Sequence, residues 1–151
     1  MKYARQYVIS RFSGQDARLL QQGISPNQDC EEHGMIRHKS HIPHEIKEHH
    51  FGGQGSLDCI PLLTGDEFHG KGRTFSVNTL KPGHSVGVHA HKGDFEVYYF
   101  LKGEGLYHDN GVDVRVKAGD VAYTWEGQRH GIINDGTEDL EMIALILFTG
   151  K

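Results

Sequence analysis

Downstream of Arg73 the chain settles into short runs rich in β-branched and aromatic residues, each closed by a turn signal. The runs are residues 74–80, 85–91, 95–101, 106–108, 112–116, 121–125, 130–134 and 140–148. Lys81-Pro82-Gly83, Lys92-Gly93-Asp94 and Lys102-Gly103-Glu104-Gly105 separate the first four. Asn110-Gly111, between the fourth and fifth, is the dipeptide that a type I′ hairpin prefers. Eight strands at this spacing predict a sandwich or barrel rather than βαβ units. No comparable pattern precedes Arg73, so one barrel is expected.

The upstream part reads differently. Residues 1–34 are polar and uneven, with one short helix expected at 15–21 (QDARLLQ). They form an N-terminal extension expected to be dispensable for any site in the barrel; the rival reading makes them a lid anchored by Tyr3, Tyr7, Val8 and Phe12. Residues 35–72 are a His- and Gly-rich lead-in with a possible strand, and 73–151 the barrel. His38, His41, His44, His49 and His50 cluster in the lead-in. The first three recur at every third residue, which no strand places on one face, and Pro43 disfavours a helix, so a solvated linker is expected.

Composition narrows the function. The 151 residues suffice for one domain with a core, and 20 glycines against 4 prolines suit many tight turns. A net charge of -4 without a basic run argues against nucleic acid. The longest apolar run, residues 142–148, is far shorter than a membrane span, and no apolar stretch follows the basic N-terminus. A cytoplasmic protein is expected, with Cys30 and Cys59 as inert or structural thiols. The unusual figure is 12 histidines.

Some of them fall where metal chemistry needs them. Side chains alternate along a strand, so His89 and His91 project from one face. Glu96 opens the next strand after a short loop, and His130 opens a later one. Three imidazoles and one carboxylate suit one divalent transition metal per chain, Mn or Fe first, with Zn, Ni or Co as alternatives. Four protein ligands on an octahedral ion leave two positions for substrate or water.

The spacing also carries a resemblance. Gly83, His89, His91, Glu96 and Gly103 reproduce G-x5-H-x-H-x4-E-x6-G, the first cupin motif. Gly119, Gly127, His130 and Asn134 follow the second, G-x5-P-x-G-x2-H-x3-N, with Trp125 in place of the proline. The sequence thus resembles the cupin superfamily. That resemblance implies an all-β double-stranded β-helix, or jelly-roll, barrel with the metal in its mouth. It also implies a homodimer, and residues 57–63 are expected to pair with an edge of a partner's barrel.

Parity with Glu96 turns Tyr98 and Phe100 inward: Tyr98 is a candidate acid, base or donor, and Phe100, Tyr123 and Trp125 are candidate substrate-facing aromatics. Arg73, ahead of Arg115 and Arg129, is the candidate contact for an anionic substrate. The cupin fold hosts many chemistries. The expected function is a metal-dependent enzyme acting on a small oxygen-rich metabolite by decarboxylase-, dioxygenase- or lyase-type chemistry. The alternative is a non-catalytic, metal-dependent small-ligand-binding or sensor protein.

Overall fold

A computed structural model describes residues 36–150. The expected helix at 15–21, Cys30 and the N-terminal extension lie outside these residues. Residues 36–41 hold one 3-10 turn, Lys39–His41, with no buried side chain. From residue 42 onward the described chain forms one all-β unit.

Ten strands among the described residues build it: β1 (Glu45–Glu48), β2 (Ser56–Pro61), β3 (Gly72–Leu80), β4 (Ser85–Ala90), β5 (Asp94–Lys102), β6 (Glu104–Asp109), β7 (Val112–Lys117), β8 (Val121–Thr124), β9 (Arg129–Ile133) and β10 (Leu140–Phe148). One sheet has the order β1-β2-β3-β10-β5-β8 and the other β4-β9-β6-β7, with every pairing antiparallel. This is the jelly-roll barrel expected from the sequence, and β3 to β10 are its eight strands. Asn110 and Gly111 both adopt positive φ and join Asp109 to Val112, as a type I′ turn requires. No helix among the described residues is long and apolar enough to cross a membrane.

The core lies between the two inner faces. Phe100, Leu80, Leu140 and Met142 are fully buried there, beside Leu57, Val86 and Ile132. Burying each such side chain contributes roughly 1.5–3 kcal/mol. β10 shows the selection: Leu140, Met142, Ala144 and Ile146 point inward, while the intervening residues are half-buried outside.

Two expectations change upstream. The proposed barrel boundary at Arg73 falls inside β3, and β1 and β2 continue the same six-stranded sheet. β2 is flanked by β1 and β3 of its own chain, so residues 57–63 do not present the free strand expected to pair with a partner. His38, His41 and His44 are exposed, as a solvated linker requires, while Glu45–Glu48 form β1 and His50 opens a 3-10 turn, His50–Gly52.

That turn packs against β4. A Cβ on Gly87 would lie 2.1 Å from the Phe51 carbonyl oxygen, and one on Gly53 2.2 Å from that of Ser85. Glycine at both positions lets the two backbones approach.

Candidate metal centre

β4 needs an irregularity to present its histidines. Val86 faces the core and pairs with Ile132, and strict alternation would then turn His89 outward. The β4–β9 register shifts between Val86 and His89, so that Gly87 and Val88 together oppose Gly131. This bulge reverses the phase, sets His89 directly across from His130, and leaves Val88 exposed. His91 follows just beyond β4, and Glu96 projects inward from β5. The Trp125 that replaces a motif proline does not spoil the adjoining turn. Its N–H donates to Gln128 Oε1 at 2.8 Å, and the N–H of Gly127 donates to the His91 carbonyl at 2.9 Å.

One ligating atom from each of His89, His91, Glu96 and His130 lies within 4.8 Å of the other three. His130 Nε2 is 3.0 Å from His91 Nε2, 3.1 Å from His89 Nε2 and 2.9 Å from Glu96 Oε2. The opposite ring nitrogens are committed elsewhere. His89 Nδ1 lies 3.0 Å from the Gly87 carbonyl, which only accepts, so Nδ1 carries the proton. His91 Nδ1 donates to Asp94 at 2.8 Å, and Arg73 Nε holds the other oxygen of Asp94 at 2.6 Å. In the same tautomer His130 Nδ1 donates to the Tyr107 hydroxyl at 2.8 Å, whose proton passes to Thr124 Oγ1 at 2.7 Å. Three Nε2 lone pairs and a carboxylate oxygen therefore face one another.

Such a cluster repels itself unless a positive charge sits among its members. Glu96 Oε2 is buried and has no hydrogen-bond partner of good geometry, an arrangement expensive to leave uncompensated. Burial alone would raise the Glu96 pKa; where His130 or His91 carries a proton on Nε2 as well, its hydrogen bond and charge outweigh burial and hold the carboxyl at about 2. Burial pulls His89 down to about 4, which keeps it neutral and able to ligate. Asp94, raised by burial but lowered more by Arg73 and His91, stays an ionised acceptor. The donor set fits a borderline divalent ion better than Ca or Mg, and the groups behind the imidazoles are those that fix metal-binding histidines in place.

The other predicted residues divide. Tyr98 is buried and lines a cavity of about 70 Å³ beside His89 and Glu96. Burial, and then the Glu96 charge, push its pKa well above the ordinary value, which keeps the phenol protonated. Arg73 lines the same cavity while bound to Asp94. Phe100 faces inward but packs edge-on against Tyr98 and Tyr107 in the core instead of reaching the cavity. Tyr123 and Trp125 are corrections: they lie on the outer face, about half exposed, and pack with Phe95. In β8 the inward positions belong to Ala122 and Thr124, opposite Tyr98 and Glu96. Arg115 pairs with Asp135 and Arg129 is exposed, both remote from the cavity.

Sequence pattern alone does not single out Asp94, Tyr107, Lys47, Phe51, Ser76 or Asn78, and it groups His50 with the lead-in histidines although His50 lines the cavity. Asp94 shares the parity of Glu96, a signal that was available. Phe51 stacks on His89 with ring centroids 3.7 Å apart and planes within 10°; nothing local foretells this, because the contact joins a turn to a distant strand.

Residues 76–146 match the family model of the cupin domain. An oxalate-binding protein of Thermotoga maritima is 46% identical over 114 residues, which span 76% of this chain and 94% of the relative. A crystal structure from the same organism, of a protein described as a predicted oxalate decarboxylase, superimposes with a TM-score of 0.72 at 46% identity, covering 76% of this chain and 99% of that one. A Klebsiella pneumoniae protein with a double-stranded β-helix domain reaches a TM-score of 0.52 at 27% identity, over 59% and 74% of the two chains. The motif spacing, the two-sheet barrel and the near full-length Thermotoga relative lead to one conclusion: this chain belongs to the cupin superfamily.

Proposed function

We propose that this cupin holds one divalent transition metal, Mn or Fe before Zn, Ni or Co, through His89, His91, Glu96 and His130, and binds a small dicarboxylate, oxalate first, beside it. The observation that carries the reading is the convergence of three Nε2 lone pairs and the buried Glu96 carboxylate on one point. When bound, such an ion supplies Lewis acidity and open positions for carboxylate oxygens. The chain's own residues do the rest. Asp94, Tyr107 and the Gly87 carbonyl fix the imidazoles, and a cavity of about 70 Å³ admits only a ligand of a few heavy atoms. The Thermotoga relative that binds oxalate supports this choice of ligand.

A second reading, decarboxylase-type turnover, is favoured by Tyr98. Its hydroxyl, kept protonated on the cavity wall, is placed to donate a proton. A reduced, cytoplasmic setting suits the buried, unpaired Cys59. A homodimer belongs to the same proposal, supported by the outer face around Tyr99, Leu101, Val121, Tyr123 and Trp125, which is more apolar than a solvated sheet face.

One set of measurements tests this. Elemental analysis is expected to find close to one equivalent of transition metal per chain. Calorimetry is expected to show oxalate binding that a chelator abolishes, and light scattering a dimer. Metal-loaded protein that ignores oxalate would overturn the ligand assignment. Formate released from oxalate would establish turnover; oxalate bound and recovered intact would leave a binding protein.

A further inference from the structure

The cavity beside His89 and Glu96 has a wall that the ligand cluster does not explain. In β3 the inward residues that reach the cavity are Thr74, Ser76 and Asn78, the last two buried, with Leu80 continuing the row into the core. Their neighbours across the β3–β10 ladder, on the same inner face, are Ile146, Ala144 and Met142. Adjacent strands of one sheet thus present an apolar row and a polar row to the same interior. Burying polar side chains costs stability unless they have partners. Ser76 Oγ donates to Asn78 Oδ1 at 2.8 Å, which turns the amide nitrogen of Asn78 away from that bond. Asn78 also lines the cavity.

β1 is stranger. Its sequence is Glu45-Ile46-Lys47-Glu48, and ordinary patterning would bury the isoleucine. Instead Ile46 is 57% exposed, while Lys47 points inward, half-buried, and lines the cavity. Among the described residues no carboxylate forms an ion pair with Lys47. Its ammonium reaches the thiol of Cys59, a weak acceptor that leaves the charge unbalanced. Arg73 is already held by Asp94, so Lys47 is the cation on this wall without a carboxylate partner.

We propose that Lys47 and Asn78 form the anion-recognising wall of the cavity. Lys47 balances the charge of a small dicarboxylate, and the Asn78 amide donates to those carboxylate oxygens not turned toward the histidine–glutamate cluster. This rests on the dicarboxylate reading above and deepens it. Lys47 lies outside the segment that matches the family model, residues 76–146, so the wall is assembled partly from the lead-in strand.

The test uses the full-length, manganese-loaded protein and calorimetric titration with oxalate and with the monoanion glyoxylate. Lys47→Met keeps the hydrocarbon stem and removes the charge; Asn78→Asp keeps the shape and replaces a donor with a negative acceptor. Each is expected to weaken oxalate binding about tenfold or more, with metal content unchanged by elemental analysis. Glyoxylate, with one charge to balance, is expected to lose less than about threefold with Lys47→Met. Lys47→Arg is expected to retain most of the oxalate affinity. If Asn78→Asp and Lys47→Met, both still metal-loaded, bind oxalate as the parent protein does, the wall is misassigned while the ligand reading stands. If the parent protein itself does not bind oxalate, the reading beneath falls and the inference with it.

Discussion

The histidines of residues 38–50 and those of β4 and β9 make opposite use of the same side chain. His38, His41 and His44 are exposed, and His44 finds a partner in Asp58 at 3.0 Å with its side chain 53% exposed. Water screens that pair, so it contributes about 0–1 kcal/mol. His91 and His130 are buried, and each has one ring nitrogen fixed by a partner and the other aimed at a common point. The difference lies in the support. A barrel interior, a bulge and three hydrogen-bonded partners turn imidazoles into a ligand set; clustering along the sequence does not.

Removing one imidazole from each group breaks the comparison most directly. His91→Ala is expected to reduce metal content to below about a tenth of an equivalent, because a lost ligand costs more than the 10–100-fold attributed to supporting groups. His44→Ala is expected to leave it unchanged. Elemental analysis of both decides, and a fully loaded His91→Ala would place the site elsewhere.

Acid acts on the same contrast by degrees. Imidazole ligates only when neutral, so protons compete with the ion and affinity falls as the pH falls. Burial pulls His91 downward, but Glu96 and Asp94 outweigh it and raise its pKa above 6.5, so it takes up a proton well before His89. His89 follows near 4, while Glu96 remains ionised to about 2. Metal affinity is therefore expected to be full above the His91 value, to fall below it, and to fall more steeply toward pH 4. Equilibrium dialysis against pH measures this. An ion retained unchanged below about pH 5, roughly 1.5 units under the free histidine value, would count against a three-histidine site.

The smallest effect sharpens the comparison. Asp94→Asn keeps the shape of the support but removes its charge, and Arg73 then loses its anion. A metal affinity lower by about 10–100-fold is expected from competition with a chelator. Affinity equal to the parent's would mean that the ligands alone, without their supports, distinguish the two histidine groups.

Much of this was legible in the sequence. The eight strands of the barrel could be read because Asn-Gly, Gly-Asp and similar signals interrupt β-prone runs. The four candidate ligands could be read from parity and spacing. What escaped depended on phase and on distance. Val86 and His89 both face inward, which alternation forbids, and only the bulge at Gly87-Val88 reconciles them. In β8 the larger residues were the natural choice for a wall. Tyr107 and His130 already fill the interior there, and the inward positions went to Ala122 and Thr124, the latter 2.7 Å from the Tyr107 hydroxyl. Lys47 inverted the usual rule outright, exposing its isoleucine neighbour. No pattern based on hydrophobicity finds a residue whose placement contradicts hydrophobicity.

The ring of Phe51 separates how tightly an ion is held from how quickly it leaves. His89 is the least covered ligand, with 11% of its side chain accessible against 0% for His91 and 1% for His130. Phe51 covers that one exposed ligand, and its own outer side faces solvent. A chelator approaching by way of His89 must first displace an aromatic ring carried on a turn whose His49 and Phe51 hold left-handed backbone angles. Exchange through this opening is then timed by the turn. Two proteins with equal affinity, one with phenylalanine and one with alanine at position 51, would differ in how fast the ion enters and leaves, both rates changing by the same factor.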